Sequence, residues 1–444
     1  MVDLGFLREL NKQFTLDPLA ADDPRYVDVV PPQSTVAAAL RSDLDLADRP
    51  LTLVVAGARG SGKSTQFNRL AADLEASGAY RCVVVDALDY LNGSQPLEIR
   101  QLLLIVVADV ARQFAGELVA GQHGARERLV TILKRFHLDL KLPGGVELSA
   151  SAKELKASAA GQSLTIDLTK IDGRVDAFAL AQVTEQMRDM RGFEEEVRGF
   201  FSALRVQLGC QFVVIVDSID KFRGSGIDDV DVQRSIARVF VQFREQLRFE
   251  SHHSIYTVPV HLNYTDPAFS QSYDAAFRFV PIVKLHSMKG ERDESAFERL
   301  RQVFERRRLN DRRGWDDLMT AEHRDRLIEA SGGQLRDLVR LTREVISQVN
   351  RYHVDRVVSA ELIDGAIAEI QRDFGSLTAE MTALVEEVNA TNGVPTIRDS
   401  EIPMLARLLE GHVLLAHQNG GLWFEVHPLA AAALDERKRL QQGR

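Results

Sequence analysis

Leu51-Thr-Leu-Val-Val-Ala-Gly57-Ala-Arg-Gly-Ser-Gly62-Lys63-Ser64-Thr65 decides the fold. Six residues of apolar, β-favouring character lead into G-x-x-x-x-G-K-[ST], and a helical pattern over 64–77 follows. That order, strand then glycine-rich loop then helix, lets backbone N–H groups close around phosphate oxygens at a helix N-terminus. Gly57, Arg59, Gly60, Ser61, Gly62, Lys63, Ser64 and Thr65 are the expected nucleotide-binding residues. In this arrangement Lys63 reaches the β- and γ-phosphates and the Ser64 hydroxyl coordinates Mg²⁺. The expected ligands are therefore ATP and magnesium.

A magnesium-binding loop of this kind needs a carboxylate at the end of another strand. Phe212-Val-Val-Ile-Val-Asp217-Ser-Ile-Asp220 supplies it, delivering Asp217 to the carboxyl edge where open α/β sheets bind ligands. Asp217 is expected to hold the metal, mostly through water. The next position is Ser218, which cannot act as a base at neutral pH. Asp220 is the nearest carboxylate able to polarise an attacking water.

Strand-like runs at Leu51–Ala56, Cys82–Asp86, Phe212–Val216, Ile255–Val260 and Phe279–Leu285 alternate with helical stretches at 64–77, 98–116, 192–208 and 231–249. Strands alternating with helices predict an α/β fold with a parallel sheet covered on both faces. Residues 137–172 break the alternation with two short segments, Leu138–Leu142 and Leu164–Leu168, and read as a β-hairpin-like insertion. Beyond Leu285 the pattern is helical (294–308, 321–330, 333–352, 359–373, 376–390). Asn419-Gly420-Gly421 then separates two apolar runs, which is a hairpin signal. The expected domains are a helical linker at 1–50, an ATPase core at 51–290, a helical lid at 291–373 and a winged-helix-like α+β module at 374–444.

Composition narrows the class. Of 444 residues 45% are apolar and 27% charged, and the net charge of −9 argues against a dedicated nucleic-acid coat. Two cysteines, Cys82 and Cys210, read as core thiols rather than a disulfide. No signal-peptide pattern or membrane-length apolar run occurs, so a soluble cytoplasmic protein is expected. The histidines show no metal spacing; His252-His253 reads as an exposed turn. The arginine-rich stretch from Arg299 to Arg313 reads as a solvated face, and Trp423 as part of a small core.

With the loop at 57–65 and a strand ending Asp217-Ser-Ile-Asp220-Lys221, the chain resembles the AAA+ and STAND branches of the P-loop ATPases over roughly residues 30 to 350. Its D-x-h-D arrangement is similar to NACHT and KAP-type members. The resemblance implies three further site residues. Asn263, beyond the strand Ile255–Val260, takes the sensor 1 place, with Thr257 as a rival. Ser331-Gly-Gly-Gln-Leu-Arg336-Asp-Leu-Val-Arg340 looks like a sensor 2 helix in which Arg336 points at the γ-phosphate. Arg278 takes the place of an arginine finger given to a neighbouring subunit, against the plainer reading of a strand-edge ion pair. The family further implies a homo-oligomer whose nucleotide state controls a protein partner, a role often met in bacterial antiviral defence. The alternative is a DNA-associated ATPase of the origin-recognition or transposition-regulator kind. The acidic stretch 376–390 and the single Arg407 in 401–410 suit protein contacts better than DNA.

Overall fold

The computed structural model describes residues 3–120, 124–135, 138–142, 146–148, 164–167, 190–224, 228–266, 268–275, 277–287, 290–309, 314–354, 357–391, 393–419 and 421–442. The first half of the chain runs α1 (Leu4–Gln13), α2 (Val36–Asp45), β1 (Thr52–Gly57), α3 (Lys63–Ala76), β2 (Tyr80–Asp86), α4 (Ile99–Gln113), α5 (Ala115–Ala120), α6 (Ala125–Arg135), β3 (Leu138–Leu142), β4 (Val146–Leu148), β5 (Leu164–Asp167), α7 (Met190–Leu208) and β6 (Gln211–Asp217). It continues through α8 (Asp228–Ala237), β7 (His253–Val258), α9 (Leu262–Thr265), β8 (Arg278–Val280), α10 (Glu294–Glu305), α11 (Ala321–Ala330), α12 (Leu335–Arg351), α13 (Ala360–Gln371), α14 (Ala379–Ala390), α15 (Ile402–Glu410), β9 (Leu414–Asn419), β10 (Gly421–Val426) and α16 (Pro428–Gln442). Two compact units result, one of residues 1–39, 56–69 and 279–444, the other of 40–55 and 70–278.

The five-stranded parallel sheet has the order β2-β6-β7-β1-β8. Parallel pairing sets Cys82 beside Val213, Asp86 beside Asp217 and Ile215 beside Ile255. Strands buried on both faces must be apolar throughout, and all of Thr52–Gly57 and Phe212–Asp217 is buried. The expected fifth strand is shortened to Arg278–Val280, because Pro281 has no N–H to continue a ladder. The helix expected over 231–249 instead ends at Ala237 and passes through a π turn and a 3₁₀ turn.

His252 and His253 are 2% and 1% exposed, contrary to the exposed turn expected. His253 opens β7, and His252 just ahead of it lies stacked against Phe212 and Phe249, with Phe201 beside it. The insertion also differs from a simple hairpin. β3 pairs antiparallel with β4, whereas β5 joins β3 on its other side in parallel, making a separate sheet of order β4-β3-β5. The partner of Leu138–Leu142 in the hairpin is Val146–Leu148, a segment too short to show an alternation. Cys82 and Cys210 are free and only partly buried.

In the other unit an aromatic cluster of Phe14, Phe304 and Trp315 ties α1 to α10. Arg307 corrects the expectation of a solvated arginine face: it is 8% exposed and donates to the carbonyls of Gln13, Arg25 and Val303. Burial and neighbouring Arg25 push its pKa down to about 10. The hairpin predicted around Asn419 forms in register, Gly421 opposite Asn419, and Trp423 lies half-buried with its ring stacked on His417. After it comes α16, whose Ala-rich run Leu429–Leu434 favours helix behind Pro428 at the first turn. Among the described residues no helix is long and apolar enough to cross a membrane.

Three buried histidines make stability depend on acid. Burial lowers His261, His427 and His253 to about 4 each, so the fold holds them neutral. Between their ordinary value of ~6.5 and about pH 4 the unfolded chain takes up protons that the folded chain refuses. Stability is therefore full above ~6.5 and falls as pH drops through that window, by up to ~3 kcal/mol per histidine. Thermal melts from pH 7.5 to 4.5 check this, with a smaller acid loss in His261→Gln; a melting temperature constant across the range contradicts it.

Candidate nucleotide-binding site

The loop after β1 has the conformation its glycines permit. Gly60 and Gly62 have φ of 78° and 95°, a left-handed region that costs a side chain and costs glycine nothing. A Cβ at Gly57 would come within 3.0 Å of Ser61 Oγ and of Val280, so the backbone approach there is close. Helix α3 begins at Lys63, directing its N-terminal amides toward the loop. Lys63 Nζ donates to the carbonyls of Gly57 and Ala58 at 2.7 and 2.8 Å, and the residue is 4% exposed.

Two parts of the chain are seated on this loop and helix. The segment before α2 is strapped along α3: Leu19 N donates to Thr65 Oγ1 at 3.1 Å, Asn68 to Leu19 O and Arg69 to Ala21 O. The Tyr26 ring lies 3.8 Å from the Arg69 guanidinium, and its hydroxyl accepts from Gln66. Thr65 thus has a structural partner in addition to its place in the motif. The second part is the start of α12. Gln334 Nε2 donates to Arg59 O at 2.8 Å, and a Cβ at Gly60 would lie 2.5 Å from Arg336 Cβ. Burial and the nearby Arg59 charge lower the pKa of Arg336. Positive charge therefore gathers on a loop of backbone donors, an arrangement suited to a polyanion.

In the other unit, Asp217 ends β6 with 3% exposure and its Oδ1 accepts from Ser218 N at 2.6 Å. Ser218 is left-handed at φ 70°, and its hydroxyl accepts from Lys221 Nζ at 2.8 Å. Asp220 follows in a 3₁₀ turn, 7% exposed. Thr257 on β7, fully buried, accepts from Ile219 N at 3.1 Å and so braces this edge. Asn263 lies in α9, past the end of β7. The rival, Thr257, is the one that touches the Asp217 turn. Sequence reading passed over Asp86, which stands level with Asp217 on the adjacent strand. The signal was present in the way Cys82–Asp86 also ends on a carboxylate.

Comparison with solved structures finds a Walker-type ATPase of Pyrococcus abyssi at 13% identity, covering 95% of this chain and 99% of that one, with a TM-score of 0.44. It also finds the ORC2 protein of Aeropyrum pernix in its ADP form at 11% identity, 98% of each chain and a TM-score of 0.43. The ORC1 protein of the same organism in complex with DNA follows at 12% identity, 97% of this chain and 98% of that one, with a TM-score of 0.38. At such identities these likenesses say nothing of substrate. No protein-family model matches the chain, and no curated protein does.

Arg278 has a commitment inside its own chain. It opens β8, and its Nε and Nη2 bond the Asp43 carboxylate at 2.9 and 2.5 Å, a bidentate pair that is the plainer of the two readings. We expect Arg278→Ala to keep nucleotide affinity and to lose stability of about 1 kcal/mol. Mixing it with Lys63→Ala and measuring phosphate release is the check. A turnover loss of ~10³-fold in Arg278→Ala, recovered in the mixture, would return the residue to the finger role.

Proposed function

We propose that this chain binds Mg-ATP and hydrolyses it, as an AAA+-type ATPase whose nucleotide state governs its assembly and a protein partner. The observation that carries the reading is the loop Gly57–Thr65. Its left-handed glycines, the buried Lys63 and the seated Arg336 form one cationic cradle on backbone donors. Lys63 and the loop amides would bind the β- and γ-phosphates, and Arg336 would neutralise γ-phosphate charge. Ser64 and Asp217 would hold magnesium, which when bound draws charge from the phosphate oxygens. Asp220 would orient or deprotonate the attacking water. The C-terminal helices and the β9–β10 hairpin would act as a winged-helix-like module. Exposed Glu380 and Glu386 on α14 suit a protein partner more than DNA.

The test is phosphate release by the full chain alone, with duplex DNA and with RNA, alongside mass photometry with and without ATP. The switch reading expects ATP-dependent oligomers and turnover indifferent to nucleic acid. Turnover raised only by DNA, with no change of assembly, would favour the DNA-associated alternative.

A further inference from the structure

The first turn of α12 faces the P-loop on one side and the C-terminal hairpin on the other. On the loop side are Gln334, bonded to Arg59 O, and Arg336, packed on Gly60. On the other side is Asp337, fully buried one residue along. Its Oδ2 lies 2.7 Å from His412 Nδ1 and 3.6 Å from His427 Nε2, and its Oδ1 accepts from Arg340 at 3.1 Å. His412 is the residue by which the chain enters the hairpin, and His427 the one by which it leaves. One carboxylate thus grips both ends of β9–β10.

Apolar contacts run the same way. Leu415 of β9 shares a buried cluster with Ala58 of the P-loop and with Ile282. Gly332, just ahead of α12, has φ 57°, and a Cβ there would stand 2.7 Å from Leu415 and 2.8 Å from Pro428. His427 N donates to Val413 O, closing the hairpin's base. Burial disfavours a charged Asp337, yet the hydrogen bond from His412 and the Arg340 charge hold its carboxyl below the ordinary value. A buried carboxylate that keeps its charge must keep its partners, because losing one leaves an uncompensated ion.

We propose that Asp337 is a positioning residue that links nucleotide at the P-loop to docking of the C-terminal hairpin. A nucleotide that fixes Arg336 and the loop fixes the turn that carries Asp337, and with it His412 and His427. Such linkage is reciprocal: hairpin docking strengthens nucleotide binding by the factor that nucleotide strengthens docking. The proposal rests on the ATP-binding reading.

The experiment is hydrogen exchange of the full chain with and without a non-hydrolysable ATP analogue and magnesium, paired with calorimetric affinities. Amides of Leu414–Val426 should exchange ~5- to 100-fold more slowly with the analogue. Asp337→Asn and His412→Ala should lose that response and bind the analogue more weakly by a similar factor. His412→Asn keeps an N–H donor and tolerates the φ of 57° at this position, so it should retain most of the response. It answers the question should Asp337→Asn fail to fold. Analogue binding in the wild type with no change in hairpin exchange overturns the linkage alone. A response that persists in both Asp337→Asn and His412→Ala overturns the role of Asp337. Failure of the wild type to bind the analogue overturns the ATP reading and the linkage with it.

Discussion

Lys63→Ala is expected to weaken ATP binding on the order of 10²-fold while the chain still folds. Hydrogen bonds from an ammonium to phosphate are each worth ~1.5–3 kcal/mol, and in the proposed site this side chain would reach two phosphates. Gly57, Ala58, Ser61 and Lys63 of the loop are all buried. Lys63 also bonds two carbonyls of the loop, so a cost of about 1 kcal/mol in stability accompanies the loss of affinity. Calorimetry separates the two effects, since a folded variant with unchanged affinity would remove Lys63 from the site.

Asp220→Asn is expected to retain ATP and lose turnover by ~10²-fold or more, because general-base assistance is worth that much. The structure adds a reason for excluding Ser218: its hydroxyl is taken by Lys221, and its backbone is left-handed. Asn is nearly isosteric with Asp, so a residue with 7% exposure keeps its packing. Ser218→Ala should remain within a few-fold of wild type, by the same reasoning. Asp86→Asn belongs in the same series of phosphate-release assays. A greater loss there than in Asp220→Asn would move the base to the neighbouring strand.

The sheet was legible because doubly buried strands are apolar along their whole length, as Phe212–Val216 is. The P-loop was legible because few sequences satisfy its glycine and lysine spacing between a strand and a helix. What escaped was set by contacts distant in sequence. Nothing around Arg307 tells that it holds Gln13 and Arg25, and nothing near His252 announces Phe249 and Phe212 on its faces. Arg278 shows the same limit: its position ahead of a strand suited a finger, while Asp43, far earlier in the chain, takes its guanidinium. The C-terminal hairpin was predicted from Asn419-Gly420-Gly421. That its base would bond Asp337, next to Arg336, required the fold.

Calorimetric titration of the wild-type chain with ATP in the presence of magnesium decides whether the loop binds nucleotide. The cradle of Gly57–Thr65 predicts saturable binding of one nucleotide per chain, weakened when EDTA removes the metal. No binding heat and no thermal stabilisation at millimolar ATP would contradict it.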